Sequence, residues 1–165
     1  MGLRGRRTQR APREAPVDRA VEELADALVA AYAPGTLLDI GCAAGELVCA
    51  LERREVGGAA GLDVSGRSNE RRLSPAVKDG SALDLPYRDR NFDVVLGRDV
   101  LVHLDPADVP RALAEQARVT RIGGRVLHRV PVEDAWLHHL DAVEGLELTG
   151  MGAGPLALYV ELTRR

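Results

Sequence analysis

The sequence has only two cysteines, Cys42 and Cys49, and no cluster of Cys and His at metal-ligand spacing. Neither a disulfide framework nor a zinc site is indicated. It has no apolar run near the roughly 20 residues that a membrane span requires. Behind the arginine-rich start, "MGLRGRRTQRAPREAP", it has no apolar core of the secretory type, so a cytoplasmic protein is expected. Positive charge is also short: the formal net charge is -3, which offers phosphates no general attraction, and no nucleic-acid partner is expected. Lys78 is the sole lysine, and no function follows from that. No Ser-His-Asp order, Walker lysine loop or pair of catalytic carboxylates stands out, which sets hydrolase and kinase chemistry aside.

What is present is ordinary soluble-domain material, 165 residues that are 45% hydrophobic and 28% charged. One core suffices for such a length. Residues 1–16 read as a basic, solvated and disordered tail; residues 17–165 read as one domain without internal repeats. A helix is predicted from about residue 18 to 32, with Val17, Val21, Leu24, Leu28 and Tyr32 on one face, Asp18 as N-cap, and Pro34 and Gly35 as the stop. Strands are predicted at "TLLDI", "GAAGLDVS", Ala76 to Lys78, "NFDVVLG", within "RIGGRVLHRV" after a glycine turn, and at "GLELTGMG" and "PLALYVELTRR". Helices are predicted at "GELVCALERR", at residues 106–119 despite Pro110, and at "EDAWLHHLDAV"; "GRSNERRLSP" offers a weak turn of helix at best. The alternation implies an α/β fold, a doubly wound, seven-stranded, mostly parallel sheet. The last two strands adjoin without a helix, so the final one is expected to run antiparallel.

In such a sheet the ligand lies at the carboxyl ends of the strands. "LLDIGCAAGE" ends its strand in small residues at 41, 43, 44 and 45, which let a ligand approach the backbone, and the helix behind it presents free N–H groups. Asp63 ends the second strand, 22 positions after Gly41, where an acid can accept from two ribose hydroxyls. A glycine turn alone is equally well explained by chain geometry, so the weight falls on the order of the landmarks.

That order resembles the class I S-adenosylmethionine-dependent methyltransferases of the type 11-like group, from about residue 17 to the end. "LLDIGCAAG" resembles their first motif and "GLDVS" their second, "GSALDLPYRDRNFDVVLGRDVLVHL" is similar to the segment through their fourth strand, and "ARVTRIGGRVLHRVP" to the one leading into their fifth. The resemblance implies a Rossmann-like methyltransferase fold and S-adenosylmethionine as cofactor. Its methionine part would lie over Gly41, Ala43 and Gly45, with Asp39 reaching the amine through water. Asp63 would hold the ribose, Val64 would pack on the adenine, and Ser81 and Ala82 would meet its edge. Gly97 and Arg98 would offer backbone groups to the methionine amine. Ala43 departs from the motif's middle glycine and Ser81 from its usual aspartate, for which Asp79 is a substitute; the crossover after Asp63 is short, and the insertion that closes over the substrate in many relatives is missing.

A base is needed only if the acceptor carries a proton that must leave. His103, in "DVLVHL" on the cofactor side, is the leading candidate and Asp99 the second, although packing or capping would explain either. His128 and Arg129 point to opposite faces of their strand, so at most one looks into the site. His138 and His139, beside Trp136, read as surface or core residues, and Cys42 as loop packing. A small-molecule substrate is the expected acceptor, with a biosynthetic intermediate as one candidate class; a protein partner or a homodimer stays open. Two alternatives remain: a nicotinamide oxidoreductase, disfavoured because its loop would read Gly-x-Gly-x-x-Gly, and a methyltransferase-like partner subunit or scaffold that does not methylate.

Overall fold

A computed structural model describes residues 18–64, 72–131, 143–153 and 157–165. The tail, the short crossover after Asp63 and the helix expected at residues 133–143, with Trp136, His138 and His139, lie wholly or mostly outside the described residues.

Helix α1 (Arg19–Tyr32) starts where Asp18 accepts a hydrogen bond from the Ala20 N–H at 2.9 Å. Strand β1 (Thr36–Ile40) follows, with Leu37 and Leu38 fully buried on its two opposite faces. The chain continues through α2 (Glu46–Glu52), β2 (Gly58–Asp63), β3 (Val77–Asp79) and β4 (Phe92–Arg98). Two short 3-10 turns, Leu101–His103 and Pro106–Asp108, lead into α3 (Val109–Val119), with Pro110 in its first turn, where a missing N–H costs nothing. Strands β5 (Thr120–Pro131), β6 (Leu146–Ala153) and β7 (Ala157–Arg164) complete the sheet.

The strand order is β3-β2-β1-β4-β5-β7-β6. Pairings from β3 to β5 are parallel, while β7 runs antiparallel to both β5 and β6, as the helix-free junction requires. The expected glycine turn before β5 lies inside the strand. Phe92 pairs with Thr120 but Val94 with Arg125, so residues 121–124 bulge out, with Gly123 at φ 76°.

The two sheet faces carry two cores. Leu38, Val95 and Val126 pack against Val109, Ala112 and Leu113 of α3; Leu37, Val94 and Leu96 belong to the core shared with α1 and α2. α1 is also tied to α2 by charge: Arg54 donates to Glu22 at 2.7 Å and to Asp26 at 2.8 Å. Among the described residues, no helix is long and apolar enough to cross a membrane, and no group of acids, Cys and His is set to hold a metal.

Candidate functional site

The carboxyl ends of β1, β2 and β4 converge on the loop that leaves β1. Its backbone doubles back through Gly41 (φ 76°), Ala43 (φ 51°) and Gly45 (φ 95°). A Cβ on Gly41 would stand 2.7 Å from Val100 Cγ2, and one on Gly45 would stand 2.4 Å from Val77 Cγ2, so both positions need glycine for space as well as conformation. Ala43 holds the left-handed region with a side chain, a cost of about 1–2 kcal/mol. Asp63 offsets it: its Oδ2 accepts from the Ala43 N–H at 3.0 Å, joining the ends of β1 and β2 by one carboxylate.

Beyond Asp63, Val64 is 74% exposed, an apolar surface beside the loop. Across from it, Ser81 Oγ accepts from the Leu83 N–H at 3.1 Å, and Ala82 is buried. Asp79 accepts from Arg72 at 2.7 Å. What holds this segment has no local sequence signal. Arg118 of α3 donates to the carbonyls of Leu85 and Tyr87, each at 2.9 Å, and Glu115 accepts from the Leu85 N–H at 2.8 Å.

At the end of β4, Arg98 donates to Asp39 Oδ2 at 3.1 Å. The Asp39 side chain is fully buried, and its Oδ1, like Arg98 Nε, has no partner among the described residues. Burial pushes the Asp39 carboxyl up to about 6 against the pull of the Arg98 guanidinium. Asp39, for which the resemblance implies a water-mediated contact with the methionine amine, is bonded here to the Arg98 side chain. Asp99 (φ 57°) pairs with Arg129 of β5. His103 is exposed in the 3-10 turn that starts beside Val100, the residue closing on Gly41. Cys42 is buried, and burial pushes its thiol up to about 12, which fits the packing role expected of it.

His128 and Arg129 do face opposite ways. Arg129 lies on the α1 side, whereas His128, 2% exposed, sits on the other face with its Nε2 2.8 Å from Gln116 Oε1, and its ring fills the space where a Cβ on Gly97 would stand. Burial holds the imidazole down at about 4. Below pH 6.5 the unfolded chain takes up a proton that the buried ring refuses, so this contribution to stability is present above 6.5 and lost as pH falls toward 4. Asp39 acts in the opposite sense, because its raised pKa lets the native state keep a proton the unfolded chain releases. Comparing His128→Gln with wild type isolates the first term. Urea titrations should show the variant losing about 2 kcal/mol less than wild type on acidification through this range; parallel losses would contradict the assignment.

The arrangement is a backbone cradle, an acid bridging two strand ends, an exposed apolar residue beside it and a buried ion pair beneath. Residues 38–128 match the family described as "Methyltransferase domain". The chain belongs to that family. The methyltransferase domain is 34% identical over 100 residues to the 27-O-demethylrifamycin SV methyltransferase of Amycolatopsis mediterranei, across 54% of this chain and 36% of that protein. It is 43% identical over 61 residues to the demethylmenaquinone methyltransferase of Thermobifida fusca, across 37% of this chain and 25% of that protein. The matches thus span about a third or less of these curated relatives. The magnesium protoporphyrin IX methyltransferase of Synechocystis PCC 6803, solved with bound S-adenosylmethionine, superposes with a TM-score of 0.65 at 20% identity, covering 88% of this chain and 78% of that one. The fold of the methyltransferase domain is therefore the Rossmann-like, class I S-adenosylmethionine-dependent methyltransferase fold.

Proposed function

We propose that this domain transfers the methyl group of S-adenosylmethionine to a small-molecule acceptor. The observation that carries the reading is the carboxylate of Asp63 set against the Ala43 N–H, at the mouth of a loop whose glycines leave room for a ligand. The residues present fit the cofactor. Gly41 to Gly45 offer bare backbone to the methionine part, Asp63 accepts from the ribose, and Val64, Ser81 and Ala82 bound the adenine. Gly97 and Arg98 close the methionine end. The rifamycin, menaquinone and protoporphyrin methyltransferases support a small-molecule acceptor by the substrates in their names.

When bound, the cofactor supplies a methyl group on a sulfonium, already activated toward in-line displacement. Gly41 to Gly45 and Asp63 would hold the cofactor, and the chemistry it would supply is delivery of one methyl to an acceptor lone pair, with the C–S electron pair as the leaving pair. The chain's work is alignment and the exclusion of water, which contribute several kcal/mol by proximity alone. Any proton on the acceptor has to leave, and we assign it to His103, on the turn that abuts the cofactor loop, with Asp99 as the alternative base. His103→Ala should lower labelled-methyl transfer into extracts of the source organism by about 10²–10³-fold, within the range of general-base contributions, with S-adenosylhomocysteine affinity unchanged. Normal turnover would remove His103 from the mechanism. Tight product binding by wild type without any transfer would favour the non-methylating alternative.

A further inference from the structure

α1 leans on α2 and leaves a groove between itself and the β5-β7-β6 part of the sheet. Its volume is about 750 Å³, within the 300–1,000 Å³ typical of small-molecule sites. Leu24, Ala27 and Ala31 of α1 form one wall, and Leu127 of β5 with Gly150 and Gly152 of β6 lie on the other. The pairing of Gly150 with Glu161 and of Gly152 with Tyr159 puts both glycines on the α1 side, where Glu161 meets the Tyr32 hydroxyl at 2.8 Å. Among the described residues, a Cβ on Gly152 would find nothing within 4 Å.

Charged side chains also line this groove, Asp18, Arg98, Arg129 and Glu161. Arg98 lines it and, through its bond to Asp39, touches the strand that feeds the glycine loop. Its Nε–H is buried and has no partner among the described residues, a donor aimed by an otherwise fixed side chain. We propose that this groove is the acceptor pocket, and that it takes an apolar small molecule carrying a hydrogen-bond-accepting oxygen at the end presented to Arg98. The proposal rests on the methyl-transfer reading above. Three observations select this occupant over a second protein: Arg98 both lines the groove and bonds to Asp39 of the strand that feeds the cofactor loop, the volume suits a small molecule, and Arg98 Nε is a buried donor without a partner among the described residues.

The neutral dye N-phenyl-1-naphthylamine, whose emission rises in apolar surroundings, is a suitable probe for the full-length protein. Wild type should bind one equivalent. Gly152→Leu, which puts a side chain into open space, and Ala27→Phe, on the exposed flank of α1, should each weaken the dye at least tenfold while S-adenosylhomocysteine affinity, titrated separately, stays within twofold. Both positions are exposed, and unchanged melting temperatures would confirm that the fold is kept. Unaltered dye affinity in both variants overturns the proposal. So does failure of wild type to bind the dye, which would mean that another segment of the chain or a second copy fills the groove. Absence of S-adenosylhomocysteine binding by wild type would instead strike the reading beneath it, and is told apart because it is read without the dye.

Discussion

Replacing Asp63 by alanine is expected to weaken S-adenosylhomocysteine binding by about 10²–10³-fold. Hydrogen bonds to a charged acceptor contribute about 1.5–3 kcal/mol each, and the proposed ribose contact uses two. The substitution also removes the acceptor of the Ala43 N–H, which holds the left-handed turn of the cofactor loop in place. Asp63→Asn keeps an acceptor oxygen but not the charge, and should fall between alanine and wild type. Glu147→Ala is the matched control: this acid lies on β6, at the opposite edge of the sheet from β3, pairs with Arg165, and its loss should leave affinity within about threefold if the ribose belongs to Asp63. Calorimetric titration of the three variants reads the series. An Asp63→Ala protein that binds as tightly as wild type would remove this residue from the site.

Gly45→Ala should have the largest effect on folding, a loss of about 2–5 kcal/mol by urea unfolding, out of the 5–15 kcal/mol that holds a typical domain together. Two causes add. At φ 95° the position lies outside the regions an L side chain adopts readily, and the new Cβ would stand 2.4 Å from Val77 Cγ2. The two causes separate in a double-mutant cycle. Val77→Ala removes the clash and leaves the backbone strain, so Gly45→Ala with Val77→Ala should cost at least about 1 kcal/mol less than the sum of the single variants. Strict additivity would show that β3 yields freely and that conformation alone demands the glycine. Cofactor binding should be lost in Gly45→Ala and only partly restored in the pair.

How much of this the sequence reveals depends on how local the cause is. The seven strands are readable because each is a run of apolar or alternating residues bounded by turn formers, and the antiparallel end follows from the absence of a helix between β6 and β7. The glycine loop is readable for the same reason, since left-handed backbone and close approach both select small residues at fixed spacing. The Arg98–Asp39 pair is not, because its partners stand 59 positions apart and either residue alone has an ordinary explanation. His128 illustrates the limit most clearly. Strand alternation shows that it and Arg129 face opposite ways, but only the packing of α3 shows that Gln116 receives the ring and that Gly97 leaves room for it. The bulge at residues 121–124 is similarly hidden, because the pairing of β4 with β5 on both sides of it decides where the strand begins. The groove under α1 is the product of what α1 fails to cover, which no local pattern records.

The most direct test of the central claim is a crystal structure of the protein grown with S-adenosylhomocysteine. The account predicts an adenosyl group lying across the ends of β1 and β2, with both ribose hydroxyls within hydrogen-bonding distance of the Asp63 carboxylate and the amino-acid end over Gly41 to Gly45. A crevice that stays empty at saturating ligand, or a ribose held by any other residue, would contradict it.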